Sequence, residues 1–222
     1  MLADAKRSIM KGEAKKLGIL AMLLVAKLLT ERKLDAYKRG EAHLREVYEP
    51  FNFALSGQDV NYITDIVDQF AKDTAYQTDA RMLRPLREMH GAGKFTGILS
   101  VAYERVIQKT LEAAGHADLF DRIVANTLQE KDGKIIDLTL GVYERKPEVL
   151  RAEFFKRLGF REHDTLYLGD TADDQPVADM LPQGNFIVPF LATDDFKQRM
   201  ADEKKAFVPE SEEDLLRYLQ LR

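Results

Sequence analysis

The sequence contains no cysteine, which excludes disulfides, thiol nucleophiles and thiolate metal sites and suits a reducing cytoplasmic setting. Glycine and proline are scarce, 13 and 7 in 222 residues, so collagen-like and low-complexity classes are excluded too. Positive charge is not in excess: 33 Lys plus Arg stand against 37 Asp plus Glu, a net −4, and a nucleic-acid partner is not expected. No apolar run reaches the roughly 20 residues of a membrane span. The longest, Leu17 to Leu29 (LGILAMLLVAKLL), is interrupted by Lys27 and flanked by Lys15, Lys16, Glu31, Arg32 and Lys33. It reads as a buried helix, with an interfacial or partner-binding helix as the alternative. Acidic Asp4 and Glu13, and the lack of a small-residue cleavage site, argue against a signal peptide. A Gly-rich dinucleotide fingerprint and a phosphate loop ending in Gly-Lys-Ser/Thr are both missing. The four His (His43, His90, His116, His163) lack ligand spacing such as H-E-x-x-H and read as surface residues.

What is present is an ordinary globular composition, 45% hydrophobic and 32% charged. At this length it implies one large domain or a domain with an insertion. From about Glu13 to Ala75 the signals are helical: the apolar run, then Lys33 to Tyr48 with Leu34, Tyr37, Leu44, Val47 and Tyr48. The dipeptides Glu49-Pro50 and Ser56-Gly57 read as turns, and a third helix carries Val60, Ile63, Ile66, Val67 and Phe70. After about Thr78 strands and helices alternate. Helix Asp79 to His90 stops at Gly91-Ala92-Gly93, Phe95 to Val101 has strand length, and helix Tyr103 to Ala114 stops at Gly115. Arg122 to Gln129 and Lys134 to Val142 form a hairpin through Asp132-Gly133. Helix Pro147 to Leu158 follows, then strands at Thr165 to Asp170, Asn185 to Phe190 and Ala206 to Val208, and a closing helix Glu212 to Leu221 capped by Ser211. This alternation predicts a parallel sheet with helices on both faces and a ligand crevice beyond the carboxyl ends of its strands.

Two of those strands end on residues able to do chemistry, Ser100 and Asp170. Gly169-Asp170-Thr171-Ala172-Asp173-Asp174 offers three carboxylates in five positions, oxygens that suit a hard cation such as Mg²⁺ or, alternatively, an acidic loop that caps the next helix. Ser100 alone reads more readily as a helix cap. Lys146 opens a helix, where a cation opposes the macrodipole unless an anion lies nearby.

Taken together and in this order, the three resemble the haloacid dehalogenase superfamily, most closely its phosphoserine-phosphatase-like branch. FTGILS with Ser100 is similar to the second motif, RKPEVL with Lys146 to the third, and GDTADD with Asp170 and Asp174 to the fourth. The hairpin segment VANTLQEKDGKI also resembles that branch. The first motif, D-x-D-x-T, has as its counterpart Asp4-Ala5-Lys6-Arg7-Ser8, where Asp4 takes the nucleophile's place and Ser8 that of the phosphate-contacting Thr. Lys6 stands where the family has its acid/base Asp, and Glu13 where phosphoserine-specific members contact substrate. The resemblance implies an α/β fold: a Rossmann-like parallel sheet with helices on both faces, residues 1–14 and 76–222, plus a small inserted α-helical cap, residues 15–75. It implies an Mg²⁺-dependent phosphatase on a small phosphorylated metabolite, with catalytic Asp4, Ser100 and Lys146, substrate contacts from Ser8, Glu13, Ser100 and Lys146, and Mg²⁺ on Asp4, Asp170 and Asp174. The Lys6 departure leaves an alternative, a catalytically degenerate relative that binds a phosphorylated ligand or a protein partner. The cap's apolar helix is expected to be covered by the helices of Lys33 to Phe70 or by a second copy of the chain, making a homo-oligomer through the cap.

Overall fold

The structure is a computed structural model that describes residues 43–75 and 80–220, with positions 29, 32, 33 and 36. Most of the apolar run Leu17 to Leu29, and with it the question of what covers that run, lies outside the described residues. The chain divides into two compact units, one of the residues up to Asp65 with Leu128–Thr139, the other of Ile66–Thr127 with the residues from Leu140 on. The sequence reading instead places a functional boundary at 75/76 and keeps the hairpin with the core. That assignment stays a proposal.

In the first unit, helix α1 (Leu44–Leu55) begins at His43, whose backbone N–H donates to the Glu46 carboxylate at 3.2 Å. The expected continuous helix from Lys33 to Tyr48 is therefore interrupted, since His43 has extended backbone. The expected turn at Glu49-Pro50 is also corrected: Pro50 lies inside α1. A proline there forfeits one helical hydrogen bond. Burial of Val47 and Ala54 on the same helix offsets that loss. Helix α2 (Val60–Thr74) starts in this unit with buried Ile63 and continues into the other with buried Val67 and Ala71. Phe70, one of the apolar positions that mark this helix in the sequence, is 51% exposed.

Strands β2 (Arg122–Lys131) and β3 (Lys134–Thr139) meet at Asp132-Gly133, with φ of 51° and 73°, the left-handed pair that a tight hairpin turn demands. Fully buried Ile135 of β3 exchanges backbone bonds with the turn after α1, accepting from Gly57 N–H at 2.7 Å and donating to Gln58 O at 2.9 Å. Asn52 of α1 clamps the same strand, donating to Asp137 at 2.8 Å and accepting from Leu138 N–H at 3.1 Å.

The second unit is α/β. Helix α3 (Ala80–Gly91) leads to β1 (Gly97–Tyr103), which pairs parallel with β2 from Gly97↔Arg122 to Ser100↔Ala125. Helix α4 (Glu104–Ala114) ends at Gly115 in the left-handed conformation, as its sequence predicts. Helix α5 (Lys146–Leu150) has Pro147 in its first turn and continues as a π-helical stretch, Arg151–Lys156. Strand β4 (Tyr167–Leu168) pairs parallel with β5 (Phe186–Ile187), and Phe207 bridges Ile187, also in parallel. The expected strands at 165–170, 185–190 and 206–208 thus shrink to two residues, two residues and one bridge. Helix α6 (Gln175–Met180), α7 (Asp194–Asp202) and α8 (Glu212–Gln220) complete the unit, and Ser211 Oγ accepts from Asp214 N–H at 3.1 Å as the expected cap. Tyr167, Phe186, Val188, Val177, Leu150 and Phe154 form one buried cluster against which Leu99 of β1 and Val124 of β2 also pack, so both parallel pairs share a core.

Two histidines depart from the surface expectation. His90 and His116 are half-buried, His90 Nδ1 lying 3.1 Å from Thr96 Oγ1 and His116 Nδ1 2.9 Å from Arg87 Nη2.

Candidate active site

The strand that carries Ser100 runs on to Tyr103 rather than ending at the serine, as its sequence suggests; within it the half-buried Ser100 accepts from the Ala102 N–H through Oγ at 3.1 Å, and the β1–β2 register shifts between Ser100 and Tyr103. The hydroxyl thus braces the strand where its pairing becomes irregular, and a hydroxyl that accepts one bond can still donate another. On the neighbouring strand, Asn126 is 1% exposed and hydrogen-bonded through both ends of its amide. Its Nδ2 donates to Val101 O at 2.5 Å and its Oδ1 accepts from Val142 N–H at 3.1 Å. Asn126 therefore straps the strand residue that follows Ser100 to the segment that leads into α5, and α5 packs against β1.

Lys146 is the first residue of α5 and is buried. The anion that a cation at a helix start calls for is supplied from within the chain: Nζ donates to Asp174 Oδ1 at 2.5 Å, and Asp174 is only 2% exposed. Asp174 is a hub. Its Oδ1 also accepts from the Tyr167 hydroxyl at 2.8 Å. Its Oδ2 accepts from the Asp170 N–H at 3.2 Å, the Thr171 N–H at 3.3 Å and the Thr171 hydroxyl at 3.1 Å. Five donors occupy this one carboxylate, which leaves it no free oxygen to offer a cation.

Asp170 is the opposite case. Its side chain opens to solvent, yet the protein atoms crowded about it push its carboxyl above the ordinary range, and the negative charge of Asp174 adds to the rise. Its own backbone hydrogen bond and Lys146 pull the other way. Gly169 before it is required by close approach: a Cβ there would lie 2.5 Å from Asp174 Cβ and 2.5 Å from Phe186 Cζ.

The structure thus joins Lys146, Asp170 and Asp174 in one hydrogen-bonded group and sets Ser100 on the strand beside the helix of Lys146. Asp4, Lys6, Ser8 and Glu13 lie outside the described residues. Among the described residues no three His, Asp or Glu side chains are grouped to hold a metal ion. The donors that are present suit a cation that takes one carboxylate from this loop, Asp170, and keeps water on its other positions. Two surface cavities, of about 300 Å³ between α3 and α8 and about 280 Å³ beside β2 and α5, are lined by none of these residues.

Sequence reasoning missed Asn126, Tyr167 and Thr171. The first two sit where an apolar side chain fits the strand pattern, and polarity at those positions was the available signal. Thr171 follows Asp170 and reads only as loop.

A family model for haloacid dehalogenase-like hydrolases matches residues 6–179. The chain belongs to that family. Solved structures of the haloacid dehalogenase fold are similar to it. One is a phosphoserine phosphatase complex with substrate bound, with TM-score 0.57 and 18% identity, covering 85% of this chain and 83% of that one. Another is a phospho-aspartyl intermediate analogue of phosphoserine phosphatase, with TM-score 0.58 and 18% identity, covering 90% of each. A third is cytosolic 5'-nucleotidase IIIB bound to cytidine, with TM-score 0.59 and 17% identity, covering 88% and 72%. No curated protein sequence matches the chain. No described helix is long and apolar enough to cross a membrane.

Proposed function

We propose that this haloacid dehalogenase-like chain is an Mg²⁺-dependent phosphatase that hydrolyses a small, phosphoserine-like phosphomonoester through an aspartyl-phosphate on Asp4. The observation that carries the reading is the buried Lys146–Asp174 pair beside an open Asp170 at a strand end. A buried ammonium with one N–H committed to a carboxylate has two more N–H donors for phosphoryl oxygens. Ser100 would add a hydroxyl donor from β1, and Ser8 and Glu13 would contact substrate. Asp170, with Asp4, would hold Mg²⁺, and Asp174 would act through Lys146 and the loop rather than as a ligand. When bound, the cation supplies charge neutralisation for the transferring phosphoryl group. Asp4 would form a bond from its carboxylate oxygen to phosphorus as the bond from phosphorus to the alcohol oxygen breaks, and water would then release phosphate and restore the carboxylate. Lys6, where the family has an acid/base Asp, can give a proton to the departing alkoxide but is a poor acceptor of the proton of water.

The same residue supports the second reading, a chain with an impaired second step that binds a phosphorylated ligand or a protein partner. In either case residues 15–75 would be the cap and residues 1–14 and 76–222 the core, in a cytoplasmic setting that the cysteine-free sequence suits. Hydrolysis of an aryl phosphate with Mg²⁺ by the unmutated chain, lost in Asp4→Asn, is the test. Activity no higher than that of Asp4→Asn selects the second reading.

A further inference from the structure

We infer that Tyr167 is a positioning residue: its hydroxyl and the Lys146 ammonium share one oxygen of Asp174, and the hydroxyl fixes how Asp174 presents Lys146 to a phosphoryl group. This rests on the reading of Lys146 as a phosphoryl contact.

The aromatic ring alone does not require the hydroxyl. Tyr167 is 8% exposed and stacks on Phe186, with centroids 5.6 Å apart and planes at 25°, a role that phenylalanine fills equally well. A hydroxyl buried at that depth needs a partner. It takes the same Oδ1 that Lys146 uses, at 2.8 Å against 2.5 Å for the ammonium. A phenol is protonated throughout the neutral range, so the hydroxyl is a donor there.

The consequence follows from degrees of freedom. A lysine stem has four rotatable carbons' worth of freedom, and a single contact to a carboxylate lets the carboxylate rotate about its own bond and carry the ammonium with it. Oδ2 is held by the loop that carries Asp170. Oδ1 is held, apart from Lys146 itself, by Tyr167. The loop donors on Oδ2 and the hydroxyl on Oδ1 therefore hold both oxygens of the carboxylate independently of the lysine, and the ammonium docks on an oxygen whose position is already defined. The loop that carries Asp170 and the helix of Lys146 are brought into one register by that oxygen pair.

The test compares the unmutated chain with Tyr167→Phe and Lys146→Met by two measurements. The first is the ammonium signal of Lys146 in nitrogen-15 correlated NMR, identified by its loss in Lys146→Met. The second is orthophosphate affinity by calorimetry. Expected in Tyr167→Phe are a melting transition close to that of the unmutated chain, a broadened or shifted ammonium signal, and orthophosphate binding weaker by about tenfold, the scale of one lost hydrogen bond to a charged group. An unchanged ammonium signal with unchanged affinity overturns the inference. If the unmutated chain does not bind orthophosphate at all, the phosphatase reading fails, and the ammonium signal still decides the role of Tyr167. Should Tyr167→Phe not fold, the unmutated chain decides through the Overhauser contact between the Tyr167 hydroxyl proton and the Lys146 ammonium: its presence supports the shared oxygen, and its absence overturns it.

Discussion

Lys146 and Asp174, 28 positions apart in the chain, form a buried ion pair of 2.5 Å in which the carboxylate carries four further hydrogen bonds and the ammonium's one described partner is that carboxylate. The two partners are therefore not equivalent. Asp174→Ala strands a buried ammonium at a helix start and also frees the Tyr167 hydroxyl and the loop amides, while Lys146→Met leaves a carboxylate that still accepts four hydrogen bonds. Breaking a buried pair from one side costs about 3–5 kcal/mol. We expect Asp174→Ala at or above that range and Lys146→Met below it, in urea unfolding at neutral pH. Equal losses would show that Asp174 is not the hub of the loop.

Gly169→Ala tests the close approach beside the site. The added Cβ would meet Asp174 Cβ and Phe186 Cζ at 2.5 Å, and neither is the free end of a flexible chain. Overpacking of this kind costs about 1–3 kcal/mol. The melting temperature should fall, and orthophosphate binding should fall with it because Asp174 is displaced. A stable variant with undiminished binding would show that the loop has slack.

Magnesium should raise the melting temperature of the unmutated chain by linkage. Asp170→Asn should abolish that rise. In metal-free buffer Asp170→Asn should be no less stable than the unmutated chain, because it removes a crowded negative charge next to Asp174. A magnesium response that survives in Asp170→Asn places the cation elsewhere.

Glu153 gives the pH prediction. Burial works to raise its carboxyl, but hydrogen bonds from Arg122 and, at 3.0 Å, from Arg157 outweigh it and hold the carboxyl below the ordinary range. A carboxyl lowered by folding adds stability above its unfolded pKa and loses it as pH falls through the lower folded value. Glu153→Gln should therefore cost up to about 1 kcal/mol at neutral pH, since the group is partly solvent-screened, and nothing once both states are protonated in strong acid. A cost that does not change between pH 7 and strong acid would assign it to packing instead.

Local signals in the sequence specified local structure well. The glycine stop at Gly115, the Asp132-Gly133 turn and the Ser211 cap each depend on one or two residues whose backbone or side-chain chemistry admits few alternatives. Ser100 and Asp170 stand out for a similar reason, as polar residues closing apolar runs, although β1 continues past Ser100 to Tyr103 and β4 stops at Leu168, before Asp170. Pro50 was misread because the burial of Val47 and Ala54, a tertiary effect, overrides a local preference. Tyr167 was hidden because a tyrosine in an apolar run reads as core, which its ring is. The partner of its hydroxyl lies across the loop and becomes visible only when Gly169 lets the two approach.

If Asp4 is the nucleophile, an aryl phosphate should be hydrolysed slowly with Mg²⁺, because a good leaving group needs little proton donation and hides the loss of the acid at Lys6. Hydrolysis of the aspartyl-phosphate then limits turnover, since a protonated lysine does not accept the proton of the attacking water. A burst of phenol followed by a slower steady state is the expected signature, and orthovanadate should inhibit as a phosphoryl mimic. Lys6→Asp should shorten the slow phase and raise the steady rate, by about 10² where the restored carboxylate acts as a general base. Asp4→Asn should remove both phases. If Lys6→Asp leaves the steady rate unchanged while Asp4→Asn abolishes it, proton transfer to Lys6 is not what limits this chain, and the slow step lies in phosphate release from Lys146.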